Sequence, residues 1–141
     1  MWNERYNYIP LLPHNLMKPE IERWWKQAEA DYESAKSTIT AQKYYVAAFL
    51  CQQAVEKALK ALYIQEKKNL LKTHSVSRLS KELNIPENLA VKIALLEPIY
   101  QQTRYPDIAD NIPSEEFEES DAQEALRTTE EVLEWTRKKL L

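Results

Sequence analysis

Apolar residues recur along most of this chain at helical spacing. Ile21, Trp24, Trp25, Ala28, Tyr32, Ala35 and Ile39 form one stripe of a helix that opens at Lys18-Pro19-Glu20, where proline is tolerated in the first turn. Asp31 falls at the edge of that stripe. A second helix is predicted over residues 42–68. It is apolar round most of its circumference, from Tyr44 through Phe49 and Leu50 to Leu62 and Ile64, so it is expected at the centre of the fold. Its polar positions Gln53, Glu56, Lys57 and Lys60 share one stripe about 100° wide, and Glu56 precedes Lys60 in the favourable i,i+4 order. A short helix follows, with Val76, Leu79 and Leu83 inward and Thr73 or Ser75 as its cap; Asn84-Ile85-Pro86 ends it. A fourth helix is predicted over residues 87–105, striped by Leu89, Ile93, Leu96, Tyr100 and Thr103. Pro98 should kink it by removing a donor and crowding the carbonyl of Ala94. The last helix is read from Ser120, with Gln123 completing a capping box, and Arg137, Lys138 and Lys139 suit its C-terminal dipole.

These elements make an all-α fold, an antiparallel four-to-five-helix up-and-down bundle with a kinked fourth helix. Residues 1–18, with Trp2, Tyr6, Tyr8, Pro10 and Pro13, read as an N-terminal arm, and 19–141 as the bundle. Ala47, Cys51, Ala58, Leu62, Leu126 and Leu133 are among the residues expected to share one core. Trp135 lies off the last helix's stripe and, with the aromatics of the arm, reads as a contact surface for a second copy.

Composition narrows the chemistry. The 141 residues fit one domain, which buries roughly 68–70% of its unfolded surface. They include no glycine, which excludes a glycine-rich phosphate loop; any phosphate must be held by side chains. The single cysteine, Cys51, offers neither a disulfide nor a thiolate cluster and suits a reducing cytoplasm. A secretory leader is not expected, because the first residues are charged and proline-rich, and no apolar run is long enough to span a bilayer. The net charge of −3 hides an asymmetry: residues 107–121 hold seven acids and no Lys or Arg. With those seven set aside from the 22 acids, 15 remain against 19 bases, a balance of +4. That fits a local phosphate site better than a dedicated DNA-binding surface.

No metal site is expected: the acidic loop lacks the Asp/Asn-Gly spacing of an EF-hand, and no Glu-x-x-His pair is present. No cofactor and no nucleophilic triad are expected either. His14, between Pro13 and Asn15, reads as incidental. Two short motifs remain. Lys72-Thr73-His74-Ser75 joins the central helix to the next, and Arg104-Tyr105-Pro106-Asp107 ends the fourth helix.

Taken in order, these stretches resemble the HEPN domain family. The resemblance covers roughly residues 20–140. It rests on Trp25, Ala28 and Asp31, then Tyr45, Ala47 and Phe49 before Gln52-Gln53. Ala54, Glu56, Lys57 and Lys60 follow, then the Thr73-His74-Ser75 junction, Arg104 to Asp107, and Asp121-Ala122. It implies a helical bundle that dimerises and acts on or binds nucleotides and RNA, often paired with a minimal nucleotidyltransferase in toxin–antitoxin systems.

Active ribonucleases of the family resemble one another in an arginine followed, after four to six intervening residues, by a histidine. The arginine stabilises charge developing on phosphate and the histidine moves protons. Here Arg104 is present, but Ala109, Asp110 and Asn111 stand where the histidine would be. The reading is therefore a non-catalytic module that binds a nucleotide or a partner. Its ligand-binding candidates are Lys57, Lys60, Lys72, Thr73, His74, Arg104, Tyr105 and Asp107, with Asp31 and Glu56 as structural polar residues. The alternative is a metal-independent endoribonuclease toxin in which His74 serves Arg104 as the proton carrier. The bland alternatives are an ion pair of Arg104 with Asp31 or the acidic loop, a structural His74, and a solvated Lys57/Lys60 face.

Overall fold

A computed structural model describes residues 17–109 and 112–140. Among these, eight helices follow one another: α1 Pro19–Thr40, α2 Tyr44–Lys67, α3 Val76–Glu82, α4 Glu87–Ala94, α5 Ile99–Gln102, α6 Pro106–Ala109, α7 Pro113–Glu116 and α8 Glu119–Lys139. No strand occurs among the described residues. Residues 1–16 of the arm, His14 among them, and Asp110 and Asn111 lie outside them, while Met17 of the arm is buried in the core.

The three long helices form the frame. Ile39 near the end of α1 packs with Ala47 near the start of α2, so these two run antiparallel, and Ala122 at the start of α8 joins them. At the other end Gln65 donates from Nε2 to the carbonyl of Lys139 at 2.8 Å, so α8 runs alongside α2 in the same direction. Between these ends the Thr129 hydroxyl reaches the carbonyls of Ala125 at 2.8 Å and Cys51 at 3.4 Å. Small residues allow the close approach: Ala28, Ala35, Ala54, Ala58 and Ala61 have no exposed surface.

The apolar stripes point inward as expected, but the residues expected to share one core fall into two clusters. Ala47 belongs to the small satellite cluster with Ile39 and Ala122, and Leu126 is only half-buried, bridging that cluster and the main core. Trp135 also departs from expectation. It packs half-buried against the main core, with the Lys139 ammonium 5.5 Å from its ring centroid. Its indole therefore contributes to the bundle's own packing. The Cys51 thiol is fully buried, and that desolvation pushes its pKa up to about 12.

Without glycine, other residues take the left-handed turns: Gln42, Lys68 and Asn84 have φ of 62°, 64° and 53°. Lys68 closes α2, its N–H returning to the Ile64 carbonyl at 3.0 Å.

Two element boundaries differ from the sequence reading. The last helix begins at Glu119, and its capping residues are Glu118 and Asp121. The Asp121 carboxylate accepts the Glu118 N–H at 2.8 Å. Ser120 is thereby inside the first turn, and Gln123 has no capping role. The expected kink of the fourth helix is a full interruption between α4 and α5. Pro98 has no N–H for the Ala94 carbonyl, which instead takes the N–H of Glu97 at 3.1 Å. Leu95, Leu96 and Ile99 make the same short i→i−3 bonds, so residues 95–98 form tight turns. These turns leave Leu95 exposed and aim Glu97 at α3.

Candidate functional site

The site is built on the flank of α2, about its middle. Gln52, wholly buried in an otherwise apolar stretch, donates from Nε2 to the main-chain carbonyl of His74 at 3.1 Å. That bond draws the segment after α2 back along the helix. The same segment is fixed from its other side. Thr73 Oγ1 accepts the Ser75 N–H at 3.0 Å, and Ser75 caps α3 by accepting the Arg78 N–H at 3.0 Å. Glu97 then takes the Ser75 hydroxyl at 3.1 Å and the Ser77 N–H at 2.9 Å. Its carboxylate thus meets unpaired donors of a helix N-terminus, where negative charge is favourable.

This latch carries the start of α5 against the His74 segment. The imidazole of His74 stacks on the ring of Tyr100, centroids 4.4 Å apart and planes at 15°. One turn on, Arg104 donates from Nη1 to the Tyr100 hydroxyl at 2.5 Å, and its guanidinium lies 4.7 Å from that ring's centroid. The rings of Tyr105 and Phe49 stand 5.3 and 6.0 Å from the guanidinium. Arg104 is exposed, as is Tyr105, and cation–π contact of this kind contributes about 0.5–1 kcal/mol at exposed positions. Among the described residues Arg104 makes no carboxylate ion pair, with Asp31 or any other. Asp31 is taken by Lys57 at 2.5 Å and by Gln27 at 2.9 Å.

Beneath His74 lies Glu56, 3% exposed. Its carboxylate takes the Lys60 ammonium at 2.8 Å, Gln52 at 3.3 Å, and His74 Nδ1 at 3.3 and 3.4 Å. Lys60 is itself buried, with the Trp24 ring 5.2 Å from its Nζ. A buried ion pair offsets its desolvation only when the remaining lone pairs are satisfied, as they are here.

The candidate residues therefore separate into groups. His74, Arg104 and Tyr105 come together around Tyr100. Lys57 turns to α1 and Lys60 inward, so neither is a free cation at this face. Lys72 and Asp107 are exposed, and Thr73 is used in the turn before Ser75. Ala109 closes α6. Sequence reasoning passed over Tyr100, Gln52 and Glu97 as site residues. The i,i+4 spacing of Tyr100 and Arg104 was available as a signal; the role of Glu97 was not, because its partners lie 22 and 20 residues away in sequence. No group of three or more potential metal-ligating side chains occurs among the described residues.

The comparisons agree with this frame. The model of the HEPN domain family matches residues 21–140. The chain belongs to the HEPN domain family. A Methanocaldococcus jannaschii protein named "Putative toxin MJ1304" is 34% identical, over 77% of this chain and 80% of that one. The crystal structure of TT1696 from Thermus thermophilus superposes with a TM-score of 0.81 at 28% identity, covering 87% of this chain and all of that one. That of ST0689, an archaeal HEPN homologue, does so with a TM-score of 0.73 at 34% identity, covering 84% and 95%. No described helix of this HEPN domain is long and apolar enough to cross a membrane.

Proposed function

We propose that this HEPN domain binds a nucleotide or single-stranded RNA at the His74–Tyr100–Arg104 face, as the toxin-like half of a nucleotidyltransferase-paired system in the cytoplasm. The observation that carries this reading is the gathering of an exposed guanidinium and an imidazole on one tyrosine ring. Arginine recognises phosphate through its planar fork, and the exposed Tyr105 ring offers a face on which a base can stack. The toxin name of the Methanocaldococcus relative supports the wider setting. Binding of this kind is salt-sensitive and needs no metal. The domain works as a homodimer in this reading; the exposed Val91 and Leu95 provide apolar surface for the contact. Sedimentation showing only monomer at micromolar concentration would count against the dimer.

A second reading has a specific observation in its favour. The pairing of His74 Nδ1 with Glu56 is an arrangement suited to proton transfer through Nε2. A ribonuclease would use Arg104 for phosphate charge and His74 in place of the histidine missing after Arg104. One experiment separates the two: purified protein with oligoadenylate RNA in chelator, alongside Arg104→Ala and His74→Ala. The binding reading expects RNA retention without turnover, weakened by Arg104→Ala. Robust turnover abolished by both substitutions would establish the second reading instead. Absence of binding to either the RNA or a free nucleotide such as AMP or ATP would exclude both readings.

A further inference from the structure

Glu56 lies beneath the proposed face rather than on it, and its environment gives it a definite task. We propose that Glu56 is a positioning residue for His74: its carboxylate holds the proton on Nδ1 and leaves Nε2 as the working nitrogen. The inference rests on the binding reading above for the ligand, but not for the tautomer.

An ionised carboxylate has only acceptors to offer. Both oxygens of Glu56 face His74 Nδ1, at 3.3 and 3.4 Å, so the ring nitrogen turned toward them is the one that carries hydrogen. The Lys60 ammonium at 2.8 Å balances the buried charge from within the bundle. The imidazole is also restrained in two further ways. Gln52 ties the main chain of the same residue, and the Tyr100 ring lies against the imidazole face at 4.4 Å. With Nδ1 occupied and the face covered, Nε2 is the atom left for a ligand, on a side chain that is 61% exposed. A neutral ring then presents an acceptor suited to a hydroxyl, such as that of ribose. A protonated ring presents a donor suited to a phosphate oxygen.

The tautomer is directly observable. Free neutral imidazole of histidine prefers its proton on Nε2, so an Nδ1–H form reports the carboxylate. The test is long-range proton–nitrogen NMR of 15N-labelled protein above the imidazole titration, with His74→Ala separating the signals of the two histidines. The expected result is pyrrole-type Nδ1 and pyridine-type Nε2 at His74. A second variant replaces the ion pair as a unit, Glu56→Leu with Lys60→Met, since exchanging both partners for apolar groups avoids stranding a buried charge. In it the proton should return to Nε2, and affinity for oligoadenylate RNA should fall by about tenfold, as for one lost hydrogen bond. Nε2–H in the unmodified protein overturns the proposal, as does an Nδ1–H signal that survives in the paired variant. If that variant does not fold, the spectrum of the unmodified protein decides alone. Loss of the binding reading has a different signature: no affinity for RNA or free nucleotide in the unmodified protein, with the Nδ1–H tautomer intact.

Discussion

The Tyr100 ring lies against His74 and its hydroxyl is hydrogen-bonded to Arg104, so an uncharged residue holds an imidazole and a guanidinium to one place. The stack uses the ring face and the hydrogen bond uses the hydroxyl, and the two can be removed separately. Tyr100→Phe keeps the stack and the ring contact to Arg104 but removes the hydrogen bond; Tyr100→Ala removes all three. Affinity for oligoadenylate RNA should therefore fall in two steps, with the alanine variant the weaker because it also loses the ring that supports His74 and Arg104. Equal affinities for both variants, measured by fluorescence anisotropy at fixed salt, would show that the ring face contributes nothing.

Glu97 explains why Tyr100 stands where it does. Its carboxylate bonds Ser75 and Ser77, 22 and 20 residues away, and latches the turns before α5 onto the start of α3. Glu97→Ala should cost about 1 kcal/mol of stability, in the range of a lost helix cap. It should also loosen the His74–Tyr100 stack, seen as increased hydrogen exchange at Ser77 and Arg78. Unchanged exchange there would mean that the latch is not what holds the two segments.

How much of this was legible in the chain differs residue by residue. The stripes of α1, α2 and α8 depend on 3.6-residue periodicity, a local property, and they read through directly. The Glu56–Lys60 pair was also visible at i,i+4, but its burial was not. Whether a polar stripe faces solvent or a neighbouring helix depends on what α1 and the His74 segment bring to it. The nearby acids suggest a carboxylate partner for Arg104, and the structure gives it an aromatic ring one turn away. Pro98 marked a disturbance correctly. That it frees Glu97 to reach α3 depends on a long-range meeting that local sequence does not encode. Ala109, Asp110 and Asn111 stand at the histidine-lacking positions; of these only the backbone of Ala109 lies within the described residues.

The absence of glycine has a measurable consequence. Lys68 ends α2 with φ 64° and ψ 19°, a left-handed conformation that costs an L-residue roughly 1–2 kcal/mol. Glycine takes it without that cost but loses more backbone entropy on folding, and the Lys68 ammonium bond to the Gln65 carbonyl at 2.9 Å is given up. Lys68→Gly should still raise stability by up to about 1 kcal/mol. Chemical denaturation measures it, and a lower midpoint at unchanged slope would show the side-chain bond to outweigh the strain.

Glu29 makes the fold's stability depend on pH. Desolvation by burial raises its pKa from 4.5 to about 7, and Glu33 adds to this. A hydrogen bond with Trp25 and the charge of Lys26 oppose the shift without cancelling it. The folded state therefore holds a proton that the unfolded chain has already released between those two values. By linkage, the stability associated with the protonated carboxyl is fully present below pH 4.5 and is lost as pH rises through about 7. Glu29→Gln removes the ionisation while keeping the shape. It should match the parent protein at pH 4.5 and exceed it at about pH 8, the difference opening across the interval between. Melting curves at a series of pH values, corrected for the common effect of the other carboxylates by taking the difference between the two proteins, test this directly. A difference that does not change with pH would mean that Glu29 ionises in the folded chain as it does in the unfolded one.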